Sequence, residues 1–161
     1  MLRNLALLLF PISLFSAETF DFDVYVFGAS YHTNRSIPYN EKNSGFGLGF
    51  AHETTDNLDL TIAGGFYIDS FNRTASFAMV GVRPFIGKRE SLHASLGCSV
   101  GYLDGSGSNG FGILPIASIG YDQVDLCFTV DLDKDANQSR DDSAARTSSI
   151  AFFLKVRFGT F

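Results

Sequence analysis

The chain has 161 residues, of which 45% are hydrophobic and 18% charged, a composition that excludes an intrinsically disordered protein. Its formal net charge of −5 argues against binding nucleic acid through basic patches. Two cysteines are too few for a disulfide scaffold or a structural zinc site. No apolar run reaches the roughly 18 residues of a transmembrane helix.

The first 17 residues have the pattern of a secretory signal peptide. Arg3 supplies the positive charge, Leu5 to Ile12 form a short apolar core, and Ser16 and Ala17 offer a small-residue cleavage point. The alternative is a buried N-terminal helix. With a cleaved leader, residues 18–161 form a single domain that leaves the cytoplasm.

After the leader, apolar residues alternate with small or polar ones at a period of two, which is typical of β-strands with one apolar face. Most of the segments are long enough for a tilted strand to cross a bilayer, roughly 9–11 residues. The pattern predicts eight strands, covering approximately residues 25–32, 46–51, 58–69, 74–83, 92–102, 111–121, 124–131 and 149–158.

The pattern fits two folds. In a secreted soluble β domain the apolar faces meet inside, whereas in an up-and-down transmembrane β-barrel they face lipid and small residues fill the lumen. The even strand count and the terminal aromatic residue, Phe161, favour an all-β, eight-stranded antiparallel barrel in the bacterial outer membrane. Residue parity then places Cys98 towards lipid and Cys127 towards the lumen, so we expect both thiols to be unpaired.

With a periplasmic N-terminus, every second connection lies outside the cell. The predicted outer connections are residues 33–44, 71–73, 103–110 and 131–148, and the periplasmic ones are residues 54–57, 84–91 and 122–123. The longer loops fall mostly outside, as is usual for this class.

Three residues that could carry chemistry converge on the outer rim. His32 lies at the top of the first strand, and Asp69 and Ser70 lie at the top of the third. A histidine, a carboxylate and a hydroxyl are the parts of a base-assisted acyl transfer. His32 would take a proton, Asp69 would orient or stabilise the imidazolium, and Ser70 would be the nucleophile or a hydrogen-bond donor. Solvated loop-end residues are the alternative interpretation. Because adjacent strand residues point to opposite faces, Asp69 and Ser70 can both reach the site only if the strand ends there.

The ordered motifs resemble those of PagP, the outer-membrane lipid A palmitoyltransferase family. Each resembles a segment that the family has in the same order. These segments are Ser30-Tyr31-His32, Tyr39-Asn40-Glu41, Gly45-Phe46-Gly47-Leu48, Asp69-Ser70-Phe71-Asn72-Arg73, the strand from Ile113 to Tyr121, and the ending Arg157-Phe158.

The resemblance implies transfer of a palmitoyl chain from a phospholipid to lipid A, with His32, Asp69 and Ser70 at the family's catalytic positions. It also implies substrate-binding roles for Tyr39, Asn40 and Glu41. Gly81 matches the glycine at the floor of the acyl-chain pocket, and Pro115 matches a proline that opens a lateral lipid gate. A glycine that relieves crowding is the alternative for Gly81.

The chain departs from the family in lacking tryptophan and the N-terminal amphipathic helix, and in having Phe27 where the family has its other gate proline. The competing hypothesis is a non-enzymatic barrel whose outer loops bind a partner or mask the surface.

We expect no metal, no cofactor, no nucleic-acid partner and a monomer. Asp131, Asp133 and Asp135 resemble the start of a calcium loop, but Ala136 stands where such a loop needs glycine.

Overall fold

The computed structural model describes residues 20–33, 38–105, 109–131 and 148–160. The predicted leader and most of the acidic segment 131–148 lie outside them. No helix among the described residues is long and apolar enough to span a bilayer. The strands formed by the described residues are β1 (Phe20–His32), β2 (Gly45–Thr55), β3 (Leu58–Ile68), β4 (Thr74–Gly87), β5 (Leu92–Asp104), β6 (Asn109–Tyr121), β7 (Val124–Asp131) and β8 (Ser149–Thr160).

The strands form a closed barrel in which each pairs with its neighbours in sequence, and β8 pairs with β1. Every pairing is antiparallel; Val24, for example, lies opposite Leu48 on one side and Val156 on the other. Because β8 pairs with β1, neither the first nor the last strand is left as a free edge strand. The predicted eight-stranded up-and-down barrel is therefore confirmed.

The outer surface of the barrel is apolar and its interior contains the charges. The outward positions include Phe111 and Ile86, which are 88% and 75% exposed, whereas Asp23 and Asp59 inside are fully buried. This polarity is the reverse of a soluble domain and is that of a protein surrounded by lipid. Only helices and closed barrels satisfy their backbone groups in a bilayer, and closed barrels of this kind are the architecture of the bacterial outer membrane. The soluble alternative is thus wrong, and the chain is an outer-membrane barrel.

The connections distinguish the two ends of the barrel. At one end the strands are joined by short turns at residues 56–57, 88–91 and 122–123. At the other end are the connections that follow β1, β3, β5 and β7, of which 33–44 and 132–148 are much longer. Short turns are periplasmic in this class. We therefore call the end that carries His32 and Ser70 the outer end.

Several strands are longer than predicted. β4 runs through Pro84 to Gly87, because the apolar alternation continues there, and β1 begins at Phe20. A bulge against β8 lies between Phe27 and Ala29. It reverses the phase of β1, so that Phe27 faces inward while Tyr31 is exposed on the outside. As predicted, Cys98 is exposed towards lipid, Cys127 is buried in the lumen, and both thiols are free.

Small residues such as Ala51, Ala63 and Ser118 are buried inside the barrel as predicted, but larger side chains also occupy both halves of the lumen. In the outer half, the ring of Phe27 lies 5.5 Å from that of Tyr67 and 5.3 Å from those of Phe77 and Phe153. Tyr25 packs against Phe153 below them, at 6.0 Å between ring centroids. These aromatic rings form a packed layer across the lumen.

The inner half of the lumen holds a set of alternating ion pairs that we call the charged ring. Arg157 contacts Asp21 at 3.2 Å, Asp21 contacts Arg89 at 3.0 Å, and Arg89 contacts Asp59. From Asp59 the ring continues to Arg83 at 2.6 Å, to Asp125 at 2.8 Å and to Lys155 at 2.7 Å. The ring therefore begins and ends on β8 and closes the inner end of the lumen with paired charges.

Candidate functional site

The outer end brings the predicted site residues together because two strands stop there. His32 is the last residue of β1, and its side chain is buried. β3 ends at Ile68, so Asp69 and Ser70 belong to the turn that follows rather than to the strand. We expected Asp69 and Ser70 to reach one site only if the third strand ended there, and β3 does end there.

His32 and Ser70 form the central contact of the site. The Ser70 Oγ and the His32 Nε2 lie 2.9 Å apart, within hydrogen-bond distance. If Nε2 is unprotonated it accepts the hydroxyl proton, which is the geometry of a serine beside a general base. The predicted convergence of His32 and Ser70 on the outer rim is therefore found in the structure, and their catalytic roles remain a prediction.

Asp69 organises the turn that carries Ser70. Its Oδ1 accepts hydrogen bonds from the backbone N–H groups of Phe71 and Arg73, both at 2.9 Å. The Asp69 N–H donates to the Arg73 carbonyl at 2.8 Å, and Asn72 takes a positive φ of 60° within the turn. This is the usual role of an aspartate at the first position of a turn. Its predicted role of orienting His32 remains a prediction.

The segment Pro38–Ser44, which we call the strap, directly precedes β2 and lies between the outer ends of β1 and β3. Asn40 donates its backbone N–H to the Ser70 carbonyl at 2.8 Å and its side-chain amide to the Asp69 carbonyl at 3.1 Å. Asn43 donates its side-chain amide to the Ile68 carbonyl at 2.9 Å. On the other side, the Ser30 N–H donates to the Glu41 carbonyl at 3.1 Å. The strap therefore ties the ends of β1 and β3 to each other.

Tyr39 places the strap directly on the histidine. Its ring stacks on the His32 ring with centroids 4.2 Å apart and an angle of 15° between the planes. Phe71 then meets Tyr39 edge-on, with centroids 5.7 Å apart and an angle of 75°. The sequence motif 39–41 is thus part of the site, but its described contacts are with protein groups of the barrel mouth.

Gly81 lies lower in the barrel, in the crowded middle of β4. A Cβ at this position would meet the Ser99 Oγ, the Cys98 carbonyl oxygen at 2.9 Å and the Thr61 Oγ1 at 3.1 Å. This packing leaves little space beside the glycine and fits the crowding alternative. Its role as a pocket floor remains a prediction.

Pro115 marks a change in the pairing of β6. Below it, β6 pairs with β7 from Ile116 to Tyr121, and the Pro115 carbonyl accepts a hydrogen bond from the Thr129 hydroxyl at 2.8 Å. In the described part of the chain the ladder with β7 does not continue above this proline, which cannot donate to it. The structure places Pro115 away from the strap, on the lipid-facing phase of β6.

Sequence reasoning missed the stacking of Tyr39 on His32 and the whole of the charged ring. The ring had a readable signal, because Asp59, Asp125 and Lys155 occupy the polar phase of strands that are otherwise apolar. Buried charges need partners, so these residues could have been expected to pair across the lumen. Within the described ranges, no group of three or more histidine, cysteine or acidic side chains is arranged to hold a metal ion.

Comparisons with known proteins find similar structures but no match in sequence. No family model matches the chain, and no curated protein matches it in sequence. The solved structure of Neisserial surface protein A is similar with a TM-score of 0.49 and 13% identity, over 89% of this chain and 98% of that one. Ail, the attachment invasion locus protein of Yersinia pestis, is similar with a TM-score of 0.48 and 10% identity, over 89% of this chain and 99% of that one. None of these comparisons supports membership of the palmitoyltransferase family.

Proposed function

We propose that the chain is a non-conducting outer-membrane barrel that acts through its outer end by binding a partner. The observation that carries this proposal is the filled lumen. The charged ring occupies the inner half and the aromatic layer the outer half. A barrel of this size filled by its own side chains has no room for a water-filled channel.

The strap and the β3–β4 turn at the outer end suit a binding surface because they are already ordered. The strap is fixed by hydrogen bonds to β1 and to the β3–β4 turn. The side chain of Phe71 is 48% exposed on that turn, although its edge packs against Tyr39. A surface that is ordered before binding loses less conformational entropy when a partner docks.

Two measurements on the purified and the expressed protein test this proposal. In planar lipid bilayers the wild-type barrel should show no ion conductance, and a stable open channel would contradict the filled lumen. In a host that lacks its own palmitoyltransferase, expression should leave the mass of lipid A unchanged. A gain of one long acyl group would overturn the non-enzymatic function and support the second candidate.

The second candidate is transfer of an acyl chain from a phospholipid to lipid A, favoured by the 2.9 Å contact between His32 and Ser70. His32 Nε2 would take the proton from a lipid A hydroxyl while its oxygen attacks the phospholipid ester carbon. The new ester bond forms as the old carbon–oxygen bond breaks, and His32 returns the proton to the departing lysophospholipid oxygen. Ser70 would either hold the hydroxyl or itself carry the acyl group first.

Under this candidate, Asp69 would stabilise the charged imidazole, while Tyr39, Asn40 and Glu41 would border the substrate. Pro115 would admit a lipid from the side, where the described β6–β7 ladder stops, and Gly81 would limit chain length.

Mass spectrometry of lipid A from cells that express single-residue variants distinguishes the two candidate functions. Wild type and Ser70→Ala are compared with Ser76→Ala, a matched control because Ser76 is exposed on the outside of β4. Acyl transfer predicts a mass gain in the wild type and the control that is lost in Ser70→Ala. No mass gain in any of the three, with each variant folded in the outer membrane, would refute acyl transfer, and an equal gain in all three would refute the role of Ser70.

A further inference from the structure

We infer that Tyr39 is a positioning residue that holds the His32 imidazole in the orientation that directs Nε2 at the Ser70 hydroxyl. This inference rests on the second candidate function for its chemical consequence, but its geometric basis is independent of it. Because the resemblance to the palmitoyltransferases implied a substrate-binding role for Tyr39, the two assignments make different predictions.

The first step concerns what fixes the plane of the imidazole. The Ser70 hydrogen bond restrains one ring nitrogen, at 2.9 Å from the Oγ, and a contact on the ring face acts on the tilt of the plane. The Tyr39 ring lies nearly parallel to the imidazole, at 15° and 4.2 Å between centroids, and so covers one face. Stacked rings of this kind have a preferred geometry that adds to their area burial. The bond therefore acts on the direction of Nε2, and the stack acts on the plane of the ring.

The second step concerns what fixes Tyr39. The next residue, Asn40, is bonded through its backbone N–H to the Ser70 carbonyl at 2.8 Å, so the strap is tied to the residue that His32 contacts. The Tyr39 ring also forms a T-shaped pair with the ring of Phe71 from the same turn, with centroids 5.7 Å apart. These contacts therefore connect β1, the strap and the β3–β4 turn to one another through His32, Tyr39, Ser70 and Phe71.

The third step concerns chemistry. Proton transfer needs the donor and the acceptor aligned at hydrogen-bond distance, and a displacement of about 1 Å lowers rates by roughly 100-fold. Loss of the stack removes the ring that covers this face of the imidazole and weakens the restraint on its tilt. A phenylalanine at position 39 retains the ring and should retain the alignment, whereas a leucine should not.

The test uses the folded full-length barrel in detergent micelles and an alkyl fluorophosphonate as the probe. In the labelling step the Ser70 oxygen bonds to phosphorus, fluoride leaves, and the hydroxyl proton passes to His32. We expect Tyr39→Leu to lower the labelling rate by roughly 100-fold and Tyr39→Phe to preserve it within about threefold. Mass spectrometry identifies the labelled residue, and mobility on unheated gels confirms that each variant is folded.

A second readout separates the inference from the proposed function. The ring nitrogens of His32 are followed by NMR on histidine-labelled protein. Positioning predicts that the Nε2 resonance loses its hydrogen-bonded shift in Tyr39→Leu and keeps it in Tyr39→Phe.

The outcomes are distinct. Absence of labelling in the wild type would remove the route in which Ser70 carries the acyl group, and the NMR result would still decide the positioning. An unchanged Nε2 resonance in folded Tyr39→Leu, or an unchanged labelling rate in that variant, would overturn the inference and return Tyr39 to the substrate-binding assignment.

Discussion

Replacement of Asp59 by alanine should destabilise the barrel more than any single change on its surface. The Asp59 carboxylate is fully buried and accepts hydrogen bonds from Arg83 Nε at 3.1 Å and Arg83 Nη2 at 2.6 Å, as well as one from Arg89. Removing one partner from a buried ion pair costs roughly 3–5 kcal/mol, because the remaining charge is left in a medium of low polarity.

The lower end of that range applies here, since both arginines keep another carboxylate. Arg83 still contacts Asp125 at 2.8 Å, and Arg89 still contacts Asp21 at 3.0 Å. We therefore expect a loss of about 3 kcal/mol in the free energy of unfolding. The double variant Asp59→Leu with Arg83→Met should lose less than the sum of its single changes, by about 1 kcal/mol or more.

The assay is equilibrium unfolding in urea, with refolding into lipid vesicles. The chain contains no tryptophan, so the folded fraction is followed by mobility on unheated gels and by circular dichroism. Glu53→Ala is the matched control, because Glu53 also faces Arg89 but lies 3.6 Å away and its side chain is 43% exposed. It should cost less than about 1 kcal/mol. If Asp59→Ala costs no more than this control, the charged ring does not stabilise the barrel as argued.

Three further predictions concern the packing, the topology and the strap. Gly81→Ala should lower the free energy of unfolding by about 1–3 kcal/mol, since its Cβ meets three neighbours. Gly112→Ala is the control and should be close to neutral, because its Cβ meets nothing within 4 Å. Urea titration that ranks the two variants in the reverse order would contradict the packing. A membrane-soluble maleimide should label Cys98 in the folded barrel and Cys127 only after unfolding, and equal labelling of both would contradict the assigned faces. Asn40→Ala removes the side-chain bond to the β3–β4 turn and should increase amide deuterium exchange there without altering exchange in the strands.

The strand pattern could be predicted from the sequence because lipid imposes a strict period of two on the outward face. Leu92, Leu96 and Val100 are apolar in one phase and are all exposed on the outside of β5. The sequence did not indicate which β1 residues face inward beyond Phe27, because a bulge there shifts the alternation. A bulge is a local change in the backbone, and the pattern of apolar residues does not predict it. For the same reason the alternation alone could not tell that Phe27 packs inside while Tyr31 faces outward.

The site was partly predictable for a different reason. His32, Asp69 and Ser70 could be placed at one rim from strand direction alone, since β1 and β3 run the same way. The role of Asp69 in capping its own turn and the stacking of Tyr39 on His32 depend on the path of the strap. That path is irregular, and its hydrogen bonds join residues that are distant in sequence, so periodicity carries no information about it.

The charged ring also has a consequence for how the barrel acquires its final register. Its cations Lys155 and Arg157 come from β8, the last strand, and their carboxylate partners include Asp21 on β1, the first. A slip of one residue at this last seam would turn both cations outward, because register and facing are linked in a sheet. Each would then face lipid at a cost of up to roughly 2–4 kcal/mol, depending on depth. The charges that stabilise the native barrel thus also select the register in which β8 pairs with β1, because a one-residue slip would place both cations in the bilayer.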